Sequence, residues 1–172
     1  MRQSRSRGRD QFTGLVAACE DAFSYLVSEY GYRVSHSAAT ERSFAVDFKG
    51  DQVGVRVMYQ VGDALSVDVC LLDNSDFPGP VGEIRPDTRV IKFDLLDIEA
   101  VAGKDVPSAG TEAFAIPTRE LLGEYAVRLR SSASDLLSGA MDIIPALQER
   151  VLDRARAAAR AKWGARASEY GW

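Results

Sequence analysis

The sequence predicts an α+β fold, in which an N-terminal helix leads into an antiparallel β-meander of about four or five strands and C-terminal helices pack on one sheet face. Three observations lead there. Apolar residues recur at three- and four-residue steps from Phe12 to Tyr30, the step becomes two between Phe44 and Leu71, and helical spacing returns after Thr118.

The first helix carries Phe12, Leu15, Val16, Cys19, Phe23, Leu26, Val27 and Tyr30 on one stripe. Asp10 suits its N-cap, and Gly31 suits a left-handed residue at its end. A strand starting near Tyr32–Val34 comes next. Phe44, Val46 and Phe48 then alternate with polar or small residues, as do Val53, Val55, Val57 and Tyr59, and then Leu65, Val67, Val69 and Leu71. Short Gly-containing turns separate these runs, which makes a meander.

The turns imply a register. Gly50 as first central residue of a two-residue loop favours a type II′ turn. That pairs Lys49 with Gln52, and sets Phe48 opposite Val53, Val46 opposite Val55 and Phe44 opposite Val57. A three-residue loop at 61–63 sets Val57 opposite Val67 and Arg56 across from Asp68, with Asp47 diagonal to Arg56. Phe44, Val46, Val55, Val57, Val67 and Val69 then face the core, while Asp47, Arg56 and Asp68 face the other way.

After the meander, residues 73–86 (DNSDFPGPVGEIRP) form a connection longer than usual. Arg89–Phe93 reads as a further strand, and Asp94 as the cap of a short helix closed by Gly103. A second long connection precedes Thr118 or Pro117, which opens a helix through Leu137, interrupted at Gly139. A last helix starts near Asp142 or Pro145 and ends in an Ala- and Arg-rich segment with little apolar mass. The chain therefore divides into a disordered basic tail (1–9), one α+β domain (10–163) and a frayed C-terminal tail (164–172).

A chain of 172 residues whose content is 46% hydrophobic and 27% charged needs neither disulfide nor metal to be stable. Cys19 lies on a helical stripe and Cys70 in a strand, so both read as reduced packing residues of a cytoplasmic protein. No apolar run approaches the roughly 20 residues of a membrane span. The basic N-terminus lacks the apolar core of a secretory signal. The Ala-, Arg-, Asp- and Gly-rich composition suits a GC-rich bacterial source.

Charge is unevenly placed. Residues 1–10 hold four arginines and one acid, and residues 145–172 hold six bases and three acids. The remaining 11–144 hold 11 bases and 21 acids, a net of −10 within a chain of net −4. An acidic body opposes nucleic acid at its centre.

Few residues point to chemistry. His36 is the single histidine and sits in a polar stretch. With two separated cysteines it cannot complete a structural zinc tetrad. Asp73 and Asp76, with Glu83 and Asp87, lack the ligand spacing of an EF-hand loop. GPVG at 79–82 has the spacing of an RNA-clamping loop, without the helices that flank one and in acidic surroundings. No metal, cofactor or catalytic residue is therefore assigned. The candidate binding residues are Asp47, Arg56 and Asp68 on the second sheet face, with Asp73 and Asp76 in the acidic loop. Arg154, Arg160, Lys162 and Trp163 are the candidates for a nucleic-acid contact.

The order of elements and the acidic body resemble two groups of small bacterial proteins, the immunity proteins of toxin systems and the chaperones of secreted effectors. That resemblance is one of layout and charge. It implies a non-enzymatic binder of a protein partner, with self-association through the C-terminal helix as a further expectation. Two alternatives stand beside it. One is a small-molecule binder or enzyme with a pocket between the sheet and the C-terminal helices. The other is a nucleic-acid-associated factor using its basic ends.

Overall fold

In the computed structural model, the described residues are 3–79, 83–105, 115–170 and 172, and side chains are described from residue 11 onward, Tyr170 excepted. The element order is α1 (Gln3–Ala22), α2 (Ser24–Ser28), β1 (Arg33–Ala39), β2 (Ser43–Lys49), β3 (Val53–Gln60), β4 (Ser66–Leu71), β5 (Lys92–Asp94), α3 (Leu95–Val101), α4 (Arg119–Ser132), α5 (Ser134–Leu137), α6 (Ile144–Trp163) and a C-terminal 3-10 helix (Gly164–Tyr170). The five strands form one sheet in sequence order, every neighbour antiparallel. The α+β class and the helix–meander–helix order are as the sequence implies.

α1 begins at Gln3, so Asp10 lies within the helix instead of capping it. The apolar stripe runs on to Tyr30, but the helix breaks at Phe23. There Leu26 N–H turns back to Phe23 O at 2.9 Å, an i→i+3 bond that tightens the turn. Gly31 ends the segment at φ +71°, as its position suggests. α1 packs across β1 and β2 and against α4. Phe12 stacks with Tyr59, which stacks with Phe44, and Phe23 meets Phe48 at 5.9 Å between ring centroids. α3 fills the other half of the same sheet face, between β4–β5 and helices α4 and α6. Phe44, Val46, Val55, Val57, Val67 and Val69 all face this core and are buried, as the alternation implies.

The β2–β3 register differs from the one the glycine suggested. Phe48 pairs with Val55, Val46 with Val57 and Phe44 with Tyr59, a shift of two residues. The turn is centred on Asp51–Gln52, closed by Gly50 N–H donating to Val53 O at 3.0 Å. Gly50 serves packing rather than turn geometry, because a Cβ there would lie 2.9 Å from the Tyr32 ring. A two-residue slip leaves every side chain on its own face, so the apolar pattern alone cannot detect it. The β3–β4 register is the expected one, with Val57 opposite Val67 and Arg56 opposite Asp68.

β1 is longer than its sequence signal and forms an edge of the sheet, unpaired on its outer side among the described residues, with a bulge between Val34 and His36. β5 is shorter, starting at Lys92 rather than Arg89. Asp94 caps α3 by accepting Asp97 N–H at 2.9 Å, and Thr118 caps α4 by accepting Leu121 N–H at 3.2 Å. Where Ala-rich sequence suggested fraying, Gly164 turns the chain at φ +55° into the 3-10 helix, and Ala159 and Ala167 are both buried. No described helix is long and apolar enough to cross a membrane.

Candidate functional site on the second sheet face

The side of the sheet away from the helices carries one charged row across the strands. His36, Asp47, Arg56, Asp68 and Asp94 follow one another in register. The two-residue slip matters here. It sets Asp47 directly opposite Arg56 instead of diagonal to it, and the guanidinium makes both Nε–Oδ1 and Nη2–Oδ2 bonds at 2.8 Å. The Asp47 hydrogen bond, ahead of burial and charge effects, raises the Arg56 pKa. Asp68 faces Arg56 in register yet forms no ion pair with it. Its side chain, 2% exposed, is held by Lys92 Nζ at 2.9 Å and Ser66 Oγ at 2.9 Å. The expected trio is therefore two separate pairs.

Among the described residues, part of the long loop, and no helix, lies over this row. Phe77 lies over Gly54, where any Cβ would overlap its ring, and the Arg56 guanidinium stacks on it with Cζ 4.9 Å from the centroid. This is why β3 carries a glycine mid-strand. Asp73 and Asp76 exchange backbone bonds of 3.0 and 2.8 Å around Asn74 and Ser75, both at positive φ. These two exposed acids form a tight turn apart from the charged row, tied to β2 by Lys49 Nζ at 3.4 Å from Asp76. Residues 80–82 of the GPVG motif lie outside the described residues. Among the described residues, no group of three or more His, Cys, Asp or Glu gathers to hold a metal.

Beyond Phe77, no described residue covers the face over β1–β3. Ala38, Ala45 and Met58 lie side by side in register, with Ser66 next on β4. Met58 is 37% exposed. Toward β5 the face deepens into a cleft of about 370 Å³ bounded by β4, β5, residues 84–91 and α6. Asp94 and Arg154 meet at 2.6 Å on its rim, and Arg154 Nη2 also lies 2.8 Å from Asp97 Oδ2. That N–H is not aimed at Oδ2, which is buried without a hydrogen bond. Burial first, then the Asp94 charge, raises the Asp97 pKa, against the lowering pull of Arg154 and Arg150.

Arg154 is thus committed to acids of the fold, whereas Arg160 and Lys162 are exposed and Lys162 Nζ stands 4.9 Å from the Trp163 ring centroid. The four do not form one array. Sequence reading took Asp94 as a helix cap only, and missed Lys92 and Asp97 along with the Glu99–Arg128 pair that joins α3 to α4 at 2.8 and 2.6 Å. The i, i+3 acids Asp94 and Asp97 and the i, i+4 arginines Arg150 and Arg154 were the available signal. Cys19 and Cys70 are free and buried, and burial, then the Asp68 charge, pushes the Cys70 thiol up to about 12. Such thiols are poor nucleophiles. Compared with protein-family models, curated proteins and solved structures, the chain matches none.

Proposed function

We propose that the protein is a non-enzymatic binding protein of bacterial, cytoplasmic type that engages a protein partner through the open part of its second sheet face. The observation that carries this reading is the row Ala38–Ala45–Met58, left without a covering helix or loop among the described residues, beside the Asp47–Arg56 pair. A solvated antiparallel face ordinarily alternates polar residues outward. Small residues around a flexible thioether, rimmed by an arginine and a carboxylate, have the make-up of a protein interface. The open β1 edge beside them offers backbone groups to an added strand. The layout shared with immunity proteins and effector chaperones supports a toxin or secreted effector as the partner, and the acidic body suits one with a basic surface.

Affinity capture from the native host, comparing wild type with Met58→Glu, tests this. The expected result is one stoichiometric protein retained by wild type and lost by the variant, with thermal stability unchanged. Retention of the same protein by Met58→Glu, or no enriched protein at all, contradicts the proposal.

A further inference from the structure

We propose that β1 is a self-association edge, at which two copies of the chain pair antiparallel about a two-fold axis at Ser37 and join their five-stranded sheets edge to edge. The inference does not rest on the partner reading, and a partner's added strand and a second copy compete for the same edge.

The two ends of the sheet are built differently. β5 is three residues long and runs directly into α3, which leaves little edge to extend. β1 keeps seven residues, RVSHSAA, without lysine or proline, and its bulge lies near its start. Ladder parity gives the direction of its backbone groups. Thr40 N–H points inward to Ser43 O at 2.9 Å, and the carbonyl of Asp47, the partner of His36, accepts Ser35 Oγ at 3.2 Å. Alternation from these inward positions turns the N–H and C=O of Ser37 and Ala39 outward. Among the described residues nothing takes them up.

Charge and side-chain size select the occupant. Antiparallel pairing about Ser37 sets His36 opposite Ala38 of the second copy. With Ser35 set aside by the bulge, Val34 then meets Ala39, and Arg33 meets Thr40 and Glu41 of the second copy. Arg33 and Glu41 are exposed, and neither makes an ion pair with a described residue. The two-fold makes the Arg33–Glu41 contact twice, once at each end of the paired strands. Parallel pairing would set Arg33 beside Arg33 instead. Val34, 42% exposed, gains an apolar neighbour, and the small side chains of Ser37, Ala38 and Ala39 let the two edges close. One contact opposes the assembly. Glu20 accepts Ser37 Oγ at 2.6 Å, so two Glu20 carboxylates approach one another beside the axis. Their repulsion keeps the dimer weak and reversible.

The test is sedimentation of the full chain between about 1 µM and 1 mM. A monomer–dimer equilibrium with a dissociation constant of about 100 µM or below is expected. Arg33→Glu removes two opposite-charge contacts and creates two like-charge ones, so it should weaken the dimer by at least about tenfold. Adding Glu41→Arg to that variant should restore it. Glu20→Gln should tighten it. Ser37→Pro, which removes an outward N–H that the fold leaves unused, should abolish it while the thermal unfolding of the monomer is retained. The charge variants alter exposed side chains alone, so they decide the matter even where proline disturbs the fold. A monomer at every concentration would overturn the proposal, as would a dimer indifferent to Arg33→Glu or one that the charge swap fails to restore.

Discussion

Asp47 and Arg56 show what a single residue pair contributes. Asp47 is nearly buried and Arg56 part-buried under Phe77, and their two parallel bonds are closed off on one side by that ring. Such a pair is worth more than a solvated surface bridge. A double-mutant cycle of Asp47→Asn and Arg56→Met, followed by chemical denaturation, should give a coupling of about 1–3 kcal/mol. A coupling near zero would return the pair to the class of exposed ladders. Sequence reading placed both residues on the correct face because strand parity is strict. It paired them diagonally because Gly50 looked like a turn residue, when its lack of a Cβ is needed by Tyr32, 105 residues from the Leu137 carbonyl to which that tyrosine donates.

Elements follow the same division between local and non-local causes. The caps at Asp94 and Thr118 and the terminator at Gly31 were legible because each acts within a few residues. The breaks at Phe23 and Ala133 were not, because the apolar stripe runs through both. The cleft was beyond reach too, since it needs residues 84–91 and α6 to meet across about sixty positions of chain.

Helix α3 carries the clearest pH dependence. Burial, then the charge of Asp94, raises the Asp97 pKa above 3.8, so the folded protein holds that proton more tightly than the unfolded chain. The stability this contributes is complete below about 3.8 and is lost as pH rises through the raised folded value. Asp97→Asn removes the dependence. The variant should match wild type in acid and gain on it toward neutrality, read from denaturation midpoints across that range. A variant less stable than wild type at neutral pH would mean that the Arg150 and Arg154 attractions outweigh burial.

Over the whole molecule, the sheet divides its surroundings unequally. One face takes α1 and α3 and the common core. Among the described residues, the other is shared among the Phe77 loop, the cleft beside β5 and the uncovered Ala38–Ala45–Met58 row. Element order and charge led to the expectation of a binder without pointing to a surface, because neither carries the register of the strands. The open row comes from the residues that alternate with the core valines, read in the register that the β2–β3 turn sets. Hydrogen exchange on the protein with and without its captured partner tests the central claim most directly. The account predicts protection gained over residues 33–39 and 56–60, with α4 and α6 unchanged. Protection confined to α4 or α6, with β1 and β3 unaltered, would contradict it.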